Sequence, residues 1–396
     1  MRRNRVLEPF WILYAILAFL FLRLPFPVSW DPAEYLAYGK FIFGKYGFNA
    51  YYRPPVWPLL LGFLWKCGFP MPQAMKIVGA LLYLLIPLIP YFSLKGPKRY
   101  LGLLIASHPI FFKWSHLPLA HIVATFFMIV AYSTEGFTSG VFAALSGLSR
   151  FPFLLFSAFH VIGDSRKFLG AFTVFAIYLS LTTLFYSDPF AQIKKASEVI
   201  GWSKLYNIWP QDPFFYLRIL ARSSPLLFLG FFTLSRYSLS ALVSLLFFTC
   251  EVYRKEDRFL IDILPYLALA LQDRRKIIYL TLLLNFLQLP FITVFQDSNI
   301  YGMVENNSTV IGMHPGVNAY KNVHFIPWFD YFAEMPFEKA DYCIYFRDAI
   351  PCPDTFCTQK VMEFYEKCAS WEILYNESDR IIIGRKPTQR QSVEPV

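Results

Sequence analysis

Long apolar runs separated by short basic ones dominate this chain, and that alternation leaves few ways for it to fold. Trp11–Phe21, Leu81–Phe92, Ile122–Tyr132, Phe172–Leu184 and Ile277–Val294 are such runs, several of them flanked by Lys and Arg. This is how membrane helices look. The 396 residues would otherwise suggest two or three soluble domains, but only 16% of them are charged. A soluble domain carries roughly 25%, so too few polar residues are present to coat a water-exposed globule of this size. The net charge of +10 does not point to nucleic acid, because the basic residues sit between apolar segments and form no polar stripe. They read as topology signals and as contacts to anionic membrane lipid.

The N-terminus has the basic start of a signal peptide (Arg2, Arg3, Arg5), but Leu22-Arg23-Leu24-Pro25 follows the first apolar run where a small-residue cleavage site would stand. That run is expected to stay as the first span. With the N-terminus cytoplasmic, residues 8–24 cross outward and leave 25–55 outside as a first outer loop. Val56–Trp65 is half a span long and reads as an interfacial or re-entrant helix. Further crossings are expected near 74–93, 100–113, 117–133, 137–149, 151–163, 168–186, 215–234, 238–253, 258–271 and 276–295, with 187–214 as a long outer loop. The expectation is an all-α polytopic protein of the cell membrane with about eleven transmembrane helices. It spans residues 1–295. A small outer α/β domain covers 296–385, and 386–396 is a disordered tail.

The outer domain carries the sequons Asn307-Ser308-Thr309 and Asn376-Glu377-Ser378, as its placement outside allows. Ser308–Met313, Ala340–Phe346, Trp371–Leu374 and Arg380–Ile383 read as strands, and Thr358–Ala369 has helical spacing. Cys343, Cys352, Cys357 and Cys368 all fall in it. On an oxidising face they suggest two disulfides, with three pairings open. A zinc site is the other reading, but Cys352 and Cys357 are spaced one residue too wide and no second close pair exists. Cys67 and Cys250 lie in or beside membrane segments and read as inert apolar residues.

The first outer loop is the most informative stretch: Ser29-Trp30-Asp31-Pro32-Ala33-Glu34-Tyr35. One reading is a capped interfacial helix, with Asp31 at the N-cap, Pro32 at N1 and Glu34 at N3. The other is catalytic. Glycosyl transfer from a phosphate donor uses a carboxylate to take the acceptor's proton, and cations to hold the departing phosphate. Arg53, in Tyr51-Tyr52-Arg53-Pro54-Pro55, and the run Arg254-Lys255-Glu256-Asp257-Arg258 place cations outside, against the inside bias.

These patches resemble the GT-C glycosyltransferases. An acidic residue after the first span, followed by an aromatic-basic-Pro-Pro sequence leading into Trp57-Pro58-Leu59-Leu60-Leu61, is similar to the protein O-mannosyltransferase and aminoarabinose transferase branches. Lys255-Glu256-Asp257-Arg258-Phe259-Leu260 before Ile263-Leu264-Pro265-Tyr266-Leu267-Ala268-Leu269 is similar to a signature of the lipid-linked mannosyltransferases. A third patch is Ser115 with Leu119-Ala120-His121. The resemblance implies an inverting transfer of a sugar, with a mannose type favoured, from a polyprenyl (dolichyl-type) phosphate donor to a glycan, lipid or protein acceptor. It makes Asp31 the catalytic carboxylate with Glu34 beside it. Arg53, Lys255 and Arg258 would lie at the donor phosphate, and Tyr52, His121 and Glu256 would line the site. Three departures stand: His121 replaces an acidic residue, Arg254 replaces a His, and no Asp-x-Asp follows the first span. No metal and no other cofactor are therefore expected. The alternative function is a non-enzymatic transporter or flippase for a lipid-linked saccharide, although no inverted halves are visible.

His121, His116 and Lys113 also fit a polar interhelical contact, and Glu256 a plain partner for Arg258 or Lys255. Arg150 and His160, in or beside spans, are functional candidates that could instead snorkel.

Overall fold

The structure, a computed structural model, describes residues 8–205, 212–252, 255–294, 300–328, 335–347 and 355–387, with the backbone alone for 201–205. The expected tail from 388 onward and Cys352 lie outside these residues, as do Arg254 and residues 206–211 of the expected outer loop. The chain divides into two compact units.

The first unit holds Met1–Pro27, Tyr51–Trp57 and Gln73–Asp297 and is helical. Met71–Ser93 and Ser165–Tyr186 are long and apolar enough to cross a membrane, and the bent pair Phe215–Ser223 with Leu227–Thr233 makes a third if counted as one span. Leu184 and Phe185 keep 76% and 71% of their surface exposed, a face suited to lipid and not to water.

Several expected spans are broken, and prolines explain where. The stretch 100–113 divides into Leu101–Ala106 and Pro109–Ser115, with His108 extended at ψ 129 before Pro109. The stretch 215–234 bends by 118° at Ser224, which is non-helical before Pro225. A residue before proline is pushed out of the helical region by the ring. The stretch 258–271 opens as a 3-10 run, Asp257–Asp262, and becomes α-helical only over Leu264–Ala270.

Small residues bring helices together. A Cβ on Gly140 would run into the Lys167 carbonyl, and one on Gly170 into the Phe137 carbonyl, so Gly136–Ser149 and Ser165–Tyr186 meet backbone to backbone. Ser139 and Ser146 donate across to the Ala131 and Ala124 carbonyls, each at 2.7 Å. This is the packing of helices that lack a hydrophobic drive toward each other. Gly140→Ala is expected to cost about 1–3 kcal/mol by forcing that contact apart. An unfolding titration in detergent checks it; an unchanged midpoint would mean the helices part without penalty.

The second unit holds Val28–Ala50, Pro58–Pro72 and Ser298–Val396. Its sheet runs β2-β1-β3-β5-β4, with β1 Thr309–Gly312, β2 His324–Pro327, β3 Tyr342–Phe346, β4 Glu372–Glu377 and β5 Ile381–Arg385. β1 is parallel to β2 and β3, while β3–β5 and β5–β4 are antiparallel. The helix Thr355–Ala369 packs its Phe364 into a core with Ile311, Trp328 and Ile382. A disulfide joins Cys343 of β3 to Cys368 of that helix, and Cys357 is disulfide-bonded as well. Cys67 and Cys250 are free and exposed.

Sequence reading grouped the first outer loop, 25–55, with the 1–295 domain; residues 28–50 of it fall in the same unit as the tail. Gly47 donates to the Val323 carbonyl at 2.7 Å and accepts from Phe325 at 3.0 Å, adding a short parallel bridge at the β2 edge. In the helix Trp30–Gly44, residues Pro32 to Lys40 are all buried. Gly39 and Gly62 let it cross the 58–66 segment with their backbones touching.

Candidate functional site

In the second unit the cap expected at Asp31 is replaced. Ser29 is the N-cap, without a side-chain hydrogen bond, and Asp31 stands in the first turn. Pro32 is tolerated there because the first amides have no intrahelical acceptor to lose. Asp31 is half-buried, with its charge near the positive end of the helix. Glu34, at 2% exposure, accepts from Trp30 Nε1 at 3.0 Å, and the Trp30 ring meets His314 edge-on at 5.2 Å. Burial holds His314 down to about 4, so it is neutral where this packing needs it.

Six residues beyond Glu34, buried Lys40 donates to the Asn318 and Lys321 carbonyls at 2.6 and 2.8 Å. Desolvation lowers its pKa from 10.5 to about 7. A neutral amine still has two N–H groups, enough for both carbonyls. Between about pH 7 and 10.5 the unfolded chain holds a proton that the folded one has released, so raising the pH favours folding. The stability of this unit should rise by about 2 kcal/mol from pH 7 to 8.5. Thermal melting of wild type against Lys40→Met tests this, since the variant should lose the slope; an identical slope in both would assign it to another group.

In the first unit, the Asp257–Asp262 run gathers charge from distant parts of the chain. Lys113 Nζ lies 2.9 Å from Asp257 Oδ2, and Trp114 Nε1 donates to Asp257 Oδ1 at 3.0 Å. Arg258 pairs with Glu256. Arg150 Nε donates to Asp262 Oδ1 at 2.6 Å, and His121 Nε2 stands 3.8 Å from the same oxygen. Two rings link these pairs. The Arg258 guanidinium lies 6.0 Å from the Trp114 ring and 5.3 Å from Phe259, Lys113 is 5.2 Å from Trp114, and Arg150 is 6.0 Å from Phe259. The result is a row, Lys113–Trp114–Arg258–Phe259–Arg150, in which each cation also has its own carboxylate. The row grades from fully buried Asp262 to Lys113, whose side chain is 29% exposed.

Lys255 does other work. Its Nζ donates to the Phe248, Thr249 and Val252 carbonyls at 2.9, 2.6 and 2.7 Å, satisfying acceptors left over at the end of the Arg236–Cys250 helix. Burial lowers its pKa while Cys250 pushes the other way. All three ammonium donors are engaged, so a phosphate would have to displace one. Arg53 stacks on Tyr52 at 5.4 Å, and the neighbouring Tyr51 stacks on Tyr186 at 5.1 Å.

Of the residues singled out from sequence, the structure therefore brings Arg258, Glu256 and His121 into one neighbourhood, sends Lys255 to a helix end, and sets Asp31 and Glu34 in the second unit. Asp262 and the pairing of Arg150 were missed. The signal was there: Asp262 is a charge inside the apolar run from Phe259 to Leu271, and an ionisable group in such a run is a functional candidate by default. Among the described residues no cluster of three His, Cys, Asp or Glu is placed to hold a metal. Comparisons with protein-family profiles, curated proteins and solved structures find no match to this chain.

Proposed function

We propose that the chain is an integral membrane glycosyltransferase that moves a sugar, with a mannose type favoured, from a polyprenyl-phosphate carrier to an acceptor at the outer membrane face. Eleven or so crossings, a cytoplasmic N-terminus and an outer C-terminal unit belong to this reading. The observation that carries it is the cation and aromatic row in the apolar helical unit. Guanidinium and ammonium groups beside aromatic rings suit a phosphate ester with an attached sugar, and their carboxylates hold them in position until the donor arrives.

In the reaction, the acceptor hydroxyl or amide attacks the anomeric carbon while the bond from that carbon to the phosphate oxygen breaks. The phosphate leaves with the electron pair and is met by cations, for which Arg258, Lys113 and Arg53 are the candidates. Taking the acceptor's proton is the role that the sequence resemblance gives to Asp31. Attack opposite the leaving group inverts the anomeric centre.

The test is transfer from radiolabelled polyprenyl-phosphate mannose and glucose by the purified chain into a native membrane extract. Transfer with inverted configuration is expected. Saturable donor binding without transfer would favour the flippase reading, and neither binding nor transfer would overturn both.

A further inference from the structure

At the end of the Met71–Ser93 helix, Trp11, Tyr91, Phe92, Lys95 and Arg99 line an open cleft of about 510 Å³. The helix has 23 residues and so spans about 34 Å, slightly more than the roughly 30 Å hydrocarbon layer of a bilayer. Its last turn therefore falls at headgroup depth. This placement rests on the helix crossing a membrane, not on the sugar-transfer reading.

The cleft sets three aromatic side chains beside two basic ones. Phe92 is 70% exposed and offers an apolar wall at the edge of the hydrocarbon. Arg99 is fixed by three contacts: its Nε donates to the Tyr91 carbonyl at 3.2 Å, its guanidinium lies 4.1 Å from the Tyr91 ring centroid, and Nη2 is 3.6 Å from Glu8 Oε2. The Tyr91 hydroxyl donates to the same carboxylate. Lys98 is 3.3 Å from Asp273. Lys95 is exposed and makes no hydrogen bond or ion pair among the described residues. With Glu8 set against Arg99 and Asp273 against Lys98, the charge of Lys95 is left over.

We propose that this cleft binds the headgroup phosphate of an anionic phospholipid. Arg99, already oriented, and Lys95, still uncommitted, would hold the phosphate oxygens, and the aromatic wall would take the first carbons of the acyl chains. A zwitterionic headgroup gains less, because its own cation meets the surplus positive charge.

Native mass spectrometry of the full chain in detergent, titrated with phosphatidylglycerol and with phosphatidylcholine, tests this. Wild type should retain phosphatidylglycerol about fivefold better, and Lys95→Gln, which breaks no bond among the described residues, should remove that preference without moving the melting temperature. Lys360→Gln in the other unit, losing the same charge, should keep it. Equal retention of the two lipids, or a Lys95→Gln variant that keeps the preference, overturns the proposal. Displacement of the lipid by millimolar inorganic phosphate would make the occupant a free anion and also overturn it.

Discussion

Asp31→Asn is expected to lower sugar transfer by about 10²- to 10⁴-fold, the usual worth of a positioned general base. The substitution keeps size and shape and removes the negative charge that would take the acceptor's proton. Asp31 is not the cap of its helix, and its charge in the first turn contributes about 0.3–1 kcal/mol through the helix dipole. Initial rates at saturating donor, with the elution profile of each protein as a folding control, read the effect. A variant within threefold of wild type would discard Asp31 as the base while leaving the cation row in place.

Asp262→Ala should destabilise the helical unit by about 3–5 kcal/mol, because it leaves Arg150 buried against no counter-charge. The carboxylate is fully buried and holds Arg150 through a 2.6 Å bond with His121 nearby. The contrasting variant removes both partners: Asp262→Leu with Arg150→Met fills the space with apolar atoms and should recover most of the loss, since replacing a whole buried pair is often neutral. Detergent unfolding of Asp262→Leu, Arg150→Met and the double variant forms a cycle that isolates the pair. Equal losses in the single and double variants would show that packing and not charge is at stake there. In the transfer assay the double variant should stay impaired even when stable, because one cation of the row is gone.

The tail shows how far a sequence can be read. β1, β3, β4, β5 and the helix Thr355–Ala369 all lie where β-branched and aromatic clusters or helical spacing placed them, with ends shifted by a few residues. β2 was missed because His324-Phe325-Ile326-Pro327 is four residues long and ends in a proline, so no alternation can show. In the helical unit the apolar runs were plain, but His108-Pro109 and Ser224-Pro225 break two of them, and local hydrophobicity carries no record of that. The least legible fact was that residues 28–50 pack with the C-terminal sheet. Nothing local announces it, since Lys40 looks like any surface lysine until Asn318 and Lys321 are placed beside it. The charged row was half legible: Arg258 and His121 were on view, whereas Asp262 was hidden by the apolar residues on either side.

The bond from Lys40 to the Asn318 carbonyl joins positions 278 residues apart. During synthesis at about 5–20 residues per second, the helix that carries Lys40 emerges roughly 15 s to a minute before its partner exists. For that interval the helix has the 58–66 segment to cross, but an amine destined for burial lacks both of its carbonyl acceptors, while most of the helical unit is being made. The second unit is therefore completed late in synthesis. It can close only when translation is nearly finished, and a chain stopped short of the sheet is left with an unsealed helix instead of a smaller working protein.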